Sequence, residues 1–199
     1  MNTQTHLLVA AALFAKPDRP KRNIALIIGA LLPDAAIFAL FGWAVLTGVP
    51  QSELWGRIYF SEPMLTFTAI GNSAPLYAAI ALAAWAYARW RADRPLPVLP
   101  TLCVLGLAAL SHLALDLPVH VDDAHPHFWP LTNWRFRSPV SYWDGNFHAR
   151  WVMLAELITA LGLLALLWRR FMAHWVRAIL LLAGLAYIAV PAFWYLQFS

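Results

Sequence analysis

The chain has very little charge and almost no sulfur chemistry. Only 12% of its 199 residues are charged, against 61% hydrophobic residues. That balance excludes an ordinary soluble domain and reads as an integral membrane protein. Its single cysteine, Cys103, lies inside an apolar run, so neither a disulfide framework nor a thiolate metal site can be built. Low-complexity segments and internal repeats of the transporter kind are also lacking. A net charge of +4 and a pI near 9.6 do not point to nucleic acid, because the basic residues fall mostly in short loops between apolar runs. They report topology.

What is present is a series of six apolar runs, at about residues 5–15, 23–46, 64–88, 97–117, 151–168 and 176–198. The last five are long enough to span a bilayer and the first is not. The first run also lacks the basic n-region of a secretory signal, since Lys16, Arg19, Lys21 and Arg22 follow it, so it reads as a retained, partly embedded helix. The expected architecture is an all-α integral membrane protein: one membrane domain over 1–199, five spanning helices, one short N-terminal helix, and a long extramembrane loop at 118–150. Residues 16–22 carry four basic and one acidic side chain, 89–94 carry three and one, and 169–177 carry three and none. By the positive-inside rule these segments face the cytoplasm, which places 48–63 and 118–150 outside a bacterial inner membrane.

Chemistry concentrates between Ser111 and Asp144, which hold four of the seven histidines and four of the ten acidic residues. His112 and Asp116 are four apart and share one helix face, a usable pair of metal ligands. Pro118 makes continued helix unfavourable, so His120 falls on a loop close enough to fold back towards Asp116. Asp122, Asp123, His125 and His127 follow in one short polar segment. Imidazole with carboxylate suits zinc above all, or manganese or iron. Two further acids lie in apolar runs: Asp34, in LLPDAAIF, and Glu156. A carboxylate at membrane depth normally faces a bundle interior and has a partner, although Asp34 can equally cap a helix restarting after Pro33. Gly71-Asn72-Ser73 forms a polar notch that can bond across helices or line the site.

Thr5-His6-Leu7-Leu8, LLPD at 31–34, SHLALD at 111–116, the Trp129-Pro130 pair and WRFRSP at 134–139 together resemble the membrane-bound metal-dependent hydrolases of the inner membrane, a group that includes the LexA-regulated YdjM-like proteins. Carried over position by position, the resemblance implies His6, Asp34, His112 and Asp116 as the metal or catalytic set. This chain departs from the group where an HRxxTHS-like motif is replaced by Gly71-Asn72-Ser73-Ala74-Pro75, so His120, His125 and His127 either replace the missing histidines or serve a different arrangement. A weaker similarity, His-x-x-x-Asp followed by Pro and His, links the 112–120 stretch to zinc-dependent phospholipases C.

The reading that follows is a metal-dependent hydrolase acting on a lipid or lipid-linked phosphate or ester at the outer face of the membrane. His6, Asp34, His112, Asp116 and His120 would hold one or two divalent ions, which activate water and polarise the scissile oxygen. His127 or His125 would act as general acid, with Asp123 in the same catalytic group or, like Asn72 and Ser73, partnering the ligating imidazoles. Asn72 and Ser73 are also candidates to contact substrate. Arg135 and Arg137 alternate with Trp134 and Phe136, so the arginines can hold an anionic head group while the rings rest in the interface. Plain interfacial anchoring explains the arginines as well. Two non-hydrolytic readings compete: a structural metal or hydrogen-bond cluster in a scaffold, and a small transporter using Asp34 and Glu156 as a proton relay.

Overall fold

The computed structural model describes residues 1–92 and 99–198, with the side chains of 190, 191 and 194–198 left aside. Asp93 and Arg94 of the second basic loop, and the expected start of the fourth run at 97, lie outside the described residues. Among the described residues every regular element is helical. In chain order these are α1 (Thr3–Phe14), α2 (Pro20–Leu31), α3 (Ala35–Thr47), α4 (Gln51–Glu53, widening into a π turn over Leu54–Ile58), α5 (Glu62–Gly71), α6 (Ala74–Arg91), α7 (Thr101–Asp116), α8 (Ala149–Arg170) and α9 (His174–Phe198). Glu62–Arg91, Thr101–Val119 and Ala149–Arg170 are long and apolar enough to cross a membrane. A fourth crossing exists if α2 and α3 are taken as one bent span.

Two of the expected runs break where the sequence is least able to continue a helix. Residues 23–46 divide at Leu32–Asp34, where Pro33 lacks a donor and α2 and α3 meet at 71°. Residues 64–88 divide at Asn72-Ser73, and the Ser73 hydroxyl accepts from the Leu76 amide to cap α6, with Pro75 at its start. Both breaks aim polar groups at the interior.

Helix α7 is the centre, packed by α2, α6 and α1. Its buried face is made of small or short side chains, including Val104, Gly106, Ala108 and Ala109, so neighbouring backbones approach closely. A Cβ on Gly29 of α2 would stand 2.2 Å from the Leu105 carbonyl oxygen, and one on Gly106 would stand 2.6 Å from that of Tyr77. These two glycines set the helix spacing around α7.

Helix α1 is held at both ends by α8. Glu156, 2% exposed, accepts from the Asn2 amide at 2.8 Å, from the Asn2 side chain at 3.0 Å and from the Thr5 hydroxyl. At the opposite end Arg170 donates to the Ala12 carbonyl at 2.7 Å and Ala11 at 3.2 Å, and Arg22 donates to Phe14 at 2.9 Å. The spacing fits: fourteen residues of α8 rise about 21 Å and the twelve of α1 about 18 Å. An acid sits at the positive end of α1 and bases at its negative end, each favourable to the helix dipole. Arg170→Met is expected to leave those carbonyls unpaired and to cost about 1–3 kcal/mol, seen as a lower Tm of detergent-solubilised protein, while the same change at exposed Arg169 leaves Tm in place.

The segment from 118 to 148 folds back over the ends of α6 and α7. The Ser138 amide donates to the His120 carbonyl, its hydroxyl to Pro118, and the Tyr142 amide to Val119. The Ala74 amide donates to the His127 carbonyl at 2.8 Å and the Ser73 hydroxyl to the Trp129 carbonyl at 2.5 Å. These backbone ties bring the histidines of the loop onto the last turn of α7.

Candidate metal centre

Four separate segments deliver polar side chains to one buried chamber around Asp116. The i, i+4 spacing on α7 puts His112 beneath Asp116, with His112 Nε2 3.0 Å from Asp116 Oδ2. From α1 comes His6, whose Nε2 is 3.0 Å from Asp116 Oδ1 and whose ring stacks on His112 at 3.5 Å. His120, just past the end of α7, places Nε2 3.5 Å from Asp116 Oδ1. Asp34 places Oδ1 3.5 Å from His112 Nε2. His6, His112 and Asp116 offer donor atoms that all lie within 4.8 Å of one another. The amino group of Met1 also reaches Asp116 Oδ1.

The Met1 amino group donates to Asp116, whereas the imidazole–carboxylate contacts have the distance of hydrogen bonds without their alignment. Nε2 of His6 and Nε2 of His112 are buried and have no hydrogen-bond partner. His112 is fully buried, and His6 is 1% exposed. A buried, unsatisfied imidazole nitrogen is costly and calls for an explanation. In His112 the other nitrogen supplies it: Nδ1 donates to the Ala30 carbonyl at 2.7 Å, so in the neutral ring Nε2 carries the lone pair. Fixing the tautomer through Nδ1 in this way is how ligating histidines are oriented. Each imidazole Nε2 is 3.0 Å from an Asp116 oxygen, the length of an edge in a coordination shell with bonds of about 2.1 Å, roughly 3.0–3.4 Å, and Asp34 lies just beyond at 3.5 Å. The donor set therefore fits a divalent ion.

Asp34 stands at the N-cap, just before α3, but its side chain makes no capping hydrogen bond to the helix. Its Oδ2 instead accepts from the Thr3 hydroxyl at 2.8 Å and its Oδ1 faces the cluster. The helix-cap explanation for Asp34 is thus not the one the fold uses. Glu156 lies outside the chamber, committed to the start of α1.

Above Asp116 the loop adds a second layer. Asp123 accepts from His120 Nδ1 at 2.9 Å and from the Trp143 indole at 2.9 Å. Burial works against both charges, but the pairing outweighs it: His120 is raised to about 9 and Asp123 lowered to about 2. His127 donates through Nδ1 to the Asn72 carbonyl at 3.3 Å. His125 lies between His120 and His127, with ring centroids 5.5 and 6.1 Å away. Burial lowers the affinity of His127 for a proton and takes His125 down to about 3. Both rings are therefore neutral near pH 7.

Asn72 and Ser73 face inward and present no surface to a substrate. Asn72 donates to the Thr68 and Pro33 carbonyls while its own carbonyl holds His127, and Ser73 ties α6 to the loop. They support the histidines. The two arginines part company: Arg137 is paired with Asp122 on the surface, whereas Arg135 donates to the Ala124 carbonyl and lines a narrow crevice with Tyr59, Thr68, Asp123 and His125. Trp134 lies against Phe128 and Phe136. Sequence reasoning did not find Thr3, the Ala30 carbonyl, Trp143 or Tyr142, whose ring packs on His120 at 5.1 Å. Of these only the Ala30 carbonyl had a nearby signal, in Gly29.

Compared with protein-family models, with curated proteins and with solved structures, the chain matches none of them.

Proposed function

We propose that this chain is a multi-pass protein of the bacterial inner membrane, of the membrane-bound metal-dependent hydrolase type, with its site towards the outer face. It acts on a phosphate or ester group of a membrane lipid or lipid-linked molecule. The observation that carries this reading is the buried convergence of His6, His112 and Asp116, whose donor atoms lie within 4.8 Å of one another, with each imidazole Nε2 3.0 Å from an Asp116 oxygen. His6, His112 and Asp116 would hold the ion, with Asp34 beside it. A divalent ion there supplies a polarising charge and the means to activate water near neutral pH.

The protein's own groups account for the remaining steps. His125 lines the crevice and, neutral there, is placed to hydrogen-bond the scissile group or the attacking water. Arg135 brings a guanidinium without a carboxylate partner among the described residues to the same crevice, suited to an anionic head group. Tyr59 lines the same crevice. An apolar hollow of about 320 Å³, lined by Ile28, Leu31, Leu32, Ala35 and Phe38, lies in the elbow of α2 and α3 beside Asp34. In a lipid substrate, an acyl chain would lie along it.

The test is elemental analysis of detergent-purified protein, dialysed without chelator, followed by incubation with vesicles containing phosphatidic acid and phosphatidylglycerol. The expected result is near-stoichiometric zinc, manganese or iron, and metal-dependent release of phosphate, head group or fatty acid. Arg135→Ala should raise KM with little change in kcat, as loss of a binding contact does. A monodisperse protein that takes up no metal even when the ion is supplied would overturn the proposal and leave the cluster as a structural network.

A further inference from the structure

Helices α3, α4 and α5 form a unit of their own. Helix α3 packs on α5, and the rings of Phe41, Trp55 and Tyr59 follow one another with centroids 6.4 and 5.9 Å apart. Ala44 and Leu54 are fully buried, yet among the described residues the two apolar cores of the helix bundle take nothing from 35–71. This unit has its own small core and is not packed into that of α1, α2, α6, α7 and α8.

The chain enters and leaves the unit at one place. The entrance is the break at Pro33 and the exit is the break at Asn72-Ser73, and the two touch: the Asn72 side chain donates to the Pro33 carbonyl at 3.3 Å, and a Cβ on Gly71 would stand 3.1 Å from the same oxygen. Neither break carries a continuous helical ladder. Pro33 has no amide hydrogen to bond back to α2. At the exit Ser73 is extended (φ −85°, ψ 105°), the Ala74 amide goes to the His127 carbonyl, Pro75 has none to give, and the Leu76 amide goes to the Ser73 hydroxyl. A few element-terminal residues between rigid helices are where hinge rotation is absorbed. The hollow of about 320 Å³ in the elbow leaves α3 room to turn against α2.

Away from the hinge, the unit faces the loop across the crevice. Tyr59, Phe60 and Leu65 form one wall, His125 and Arg135 the other, and the space between them is about 10 Å³. That is about the least that admits a single water molecule, and far too little for a lipid head group. We propose that α3–α5 is a hinged lid: it turns as one body about the contact between the two breaks, and its opening admits an anionic lipid head group to Arg135 and His125. The hinge follows from the fold alone, while the identity of what enters rests on the function proposed above.

Leu46, at the far end of α3, is about 18 Å along the helix from the hinge, so a turn of about 20° would carry it about 6 Å. The experiment places nitroxide labels on Leu46→Cys and Leu131→Cys, both exposed positions, in the full chain with Cys103→Ala, and reads their separation by double electron–electron resonance in nanodiscs. The Leu46–Leu131 distance is expected to differ by about that amount between phosphatidylcholine alone and phosphatidylcholine with phosphatidic acid, while a bundle control, Ile158→Cys with Leu131→Cys, stays fixed. A second variant carries Phe60→Cys and Asp122→Cys, on opposite walls of the crevice, joined by a short thiol-reactive bridge that reductant cleaves. The bridged protein should keep its metal and stop hydrolysing phosphatidic acid until reductant is added. One narrow Leu46–Leu131 distance, the same in both bilayers, overturns the lid, as does a bridged protein that turns over as fast as the unbridged one. A distance change in a protein that takes up no metal supports the lid and overturns only the metal-dependent function.

Discussion

Asp116→Asn is expected to abolish metal retention, with an affinity loss well beyond the roughly 100-fold that follows removal of a group merely supporting a ligand. Both oxygens of Asp116 are used, one facing His112 and the other His6 and His120. The substitution keeps shape and volume but removes the charge and turns one oxygen into a donor, which points an N–H at imidazole lone pairs. Competition with a chromogenic chelator measures the loss directly, and hydrolysis of phosphatidic acid vesicles should fall with it to background. Thr47→Ala on α3 touches only its own helix, through Trp43 and Ala44, and should behave as the wild type. Retention of a full equivalent of metal by Asp116→Asn would remove Asp116 from the site.

The His112–Asp116 pair was legible because four residues on a helix must share a face, and the structure keeps that helix unbroken to Asp116. Asp34 was legible for an energetic reason, since a carboxylate in an apolar run needs a partner; the partner, Thr3, was not. His6 could be named only through the resemblance. A lone histidine near the start of a short apolar helix has no local feature to distinguish it, and its place follows from long-range packing against α8. Asp122 and Asp123 are indistinguishable as adjacent residues in a polar stretch, yet the fold gives one to Arg137 and the other to His120. The Asn72-Ser73 notch was visible as polar but not as the brace of His127, because a backbone carbonyl acceptor leaves no mark in the sequence.

Gly29→Ala is the second change with a large expected effect. The added Cβ would meet the Leu105 carbonyl oxygen at 2.2 Å and the carbonyl carbon at 2.9 Å, and neither backbone atom can turn aside. Helix α2 would have to back away from α7, at a cost of about 1–3 kcal/mol or more for overpacking. The Ala30 carbonyl that fixes His112 moves with it, so the variant should lose both thermal stability and metal. Gly42 and Gly162 are helical glycines where an added methyl group would meet nothing within 4 Å. Alanine there should leave metal content unchanged and raise Tm slightly, since alanine is favoured over glycine by about 1 kcal/mol in a helix. A Gly29→Ala protein as stable and as metal-rich as these controls would show that α2 does not set the position of His112.

The clamp of α8 on α1 also has a meaning in time. A chain emerges from the ribosome amino end first, so His6, Asp34, His112 and Asp116 have all been made before either Glu156 or Arg170 exists. Until those two arrive, nothing on α8 grips the ends of the helix that carries His6. The order of synthesis therefore delays closure of the chamber until α8 is in place.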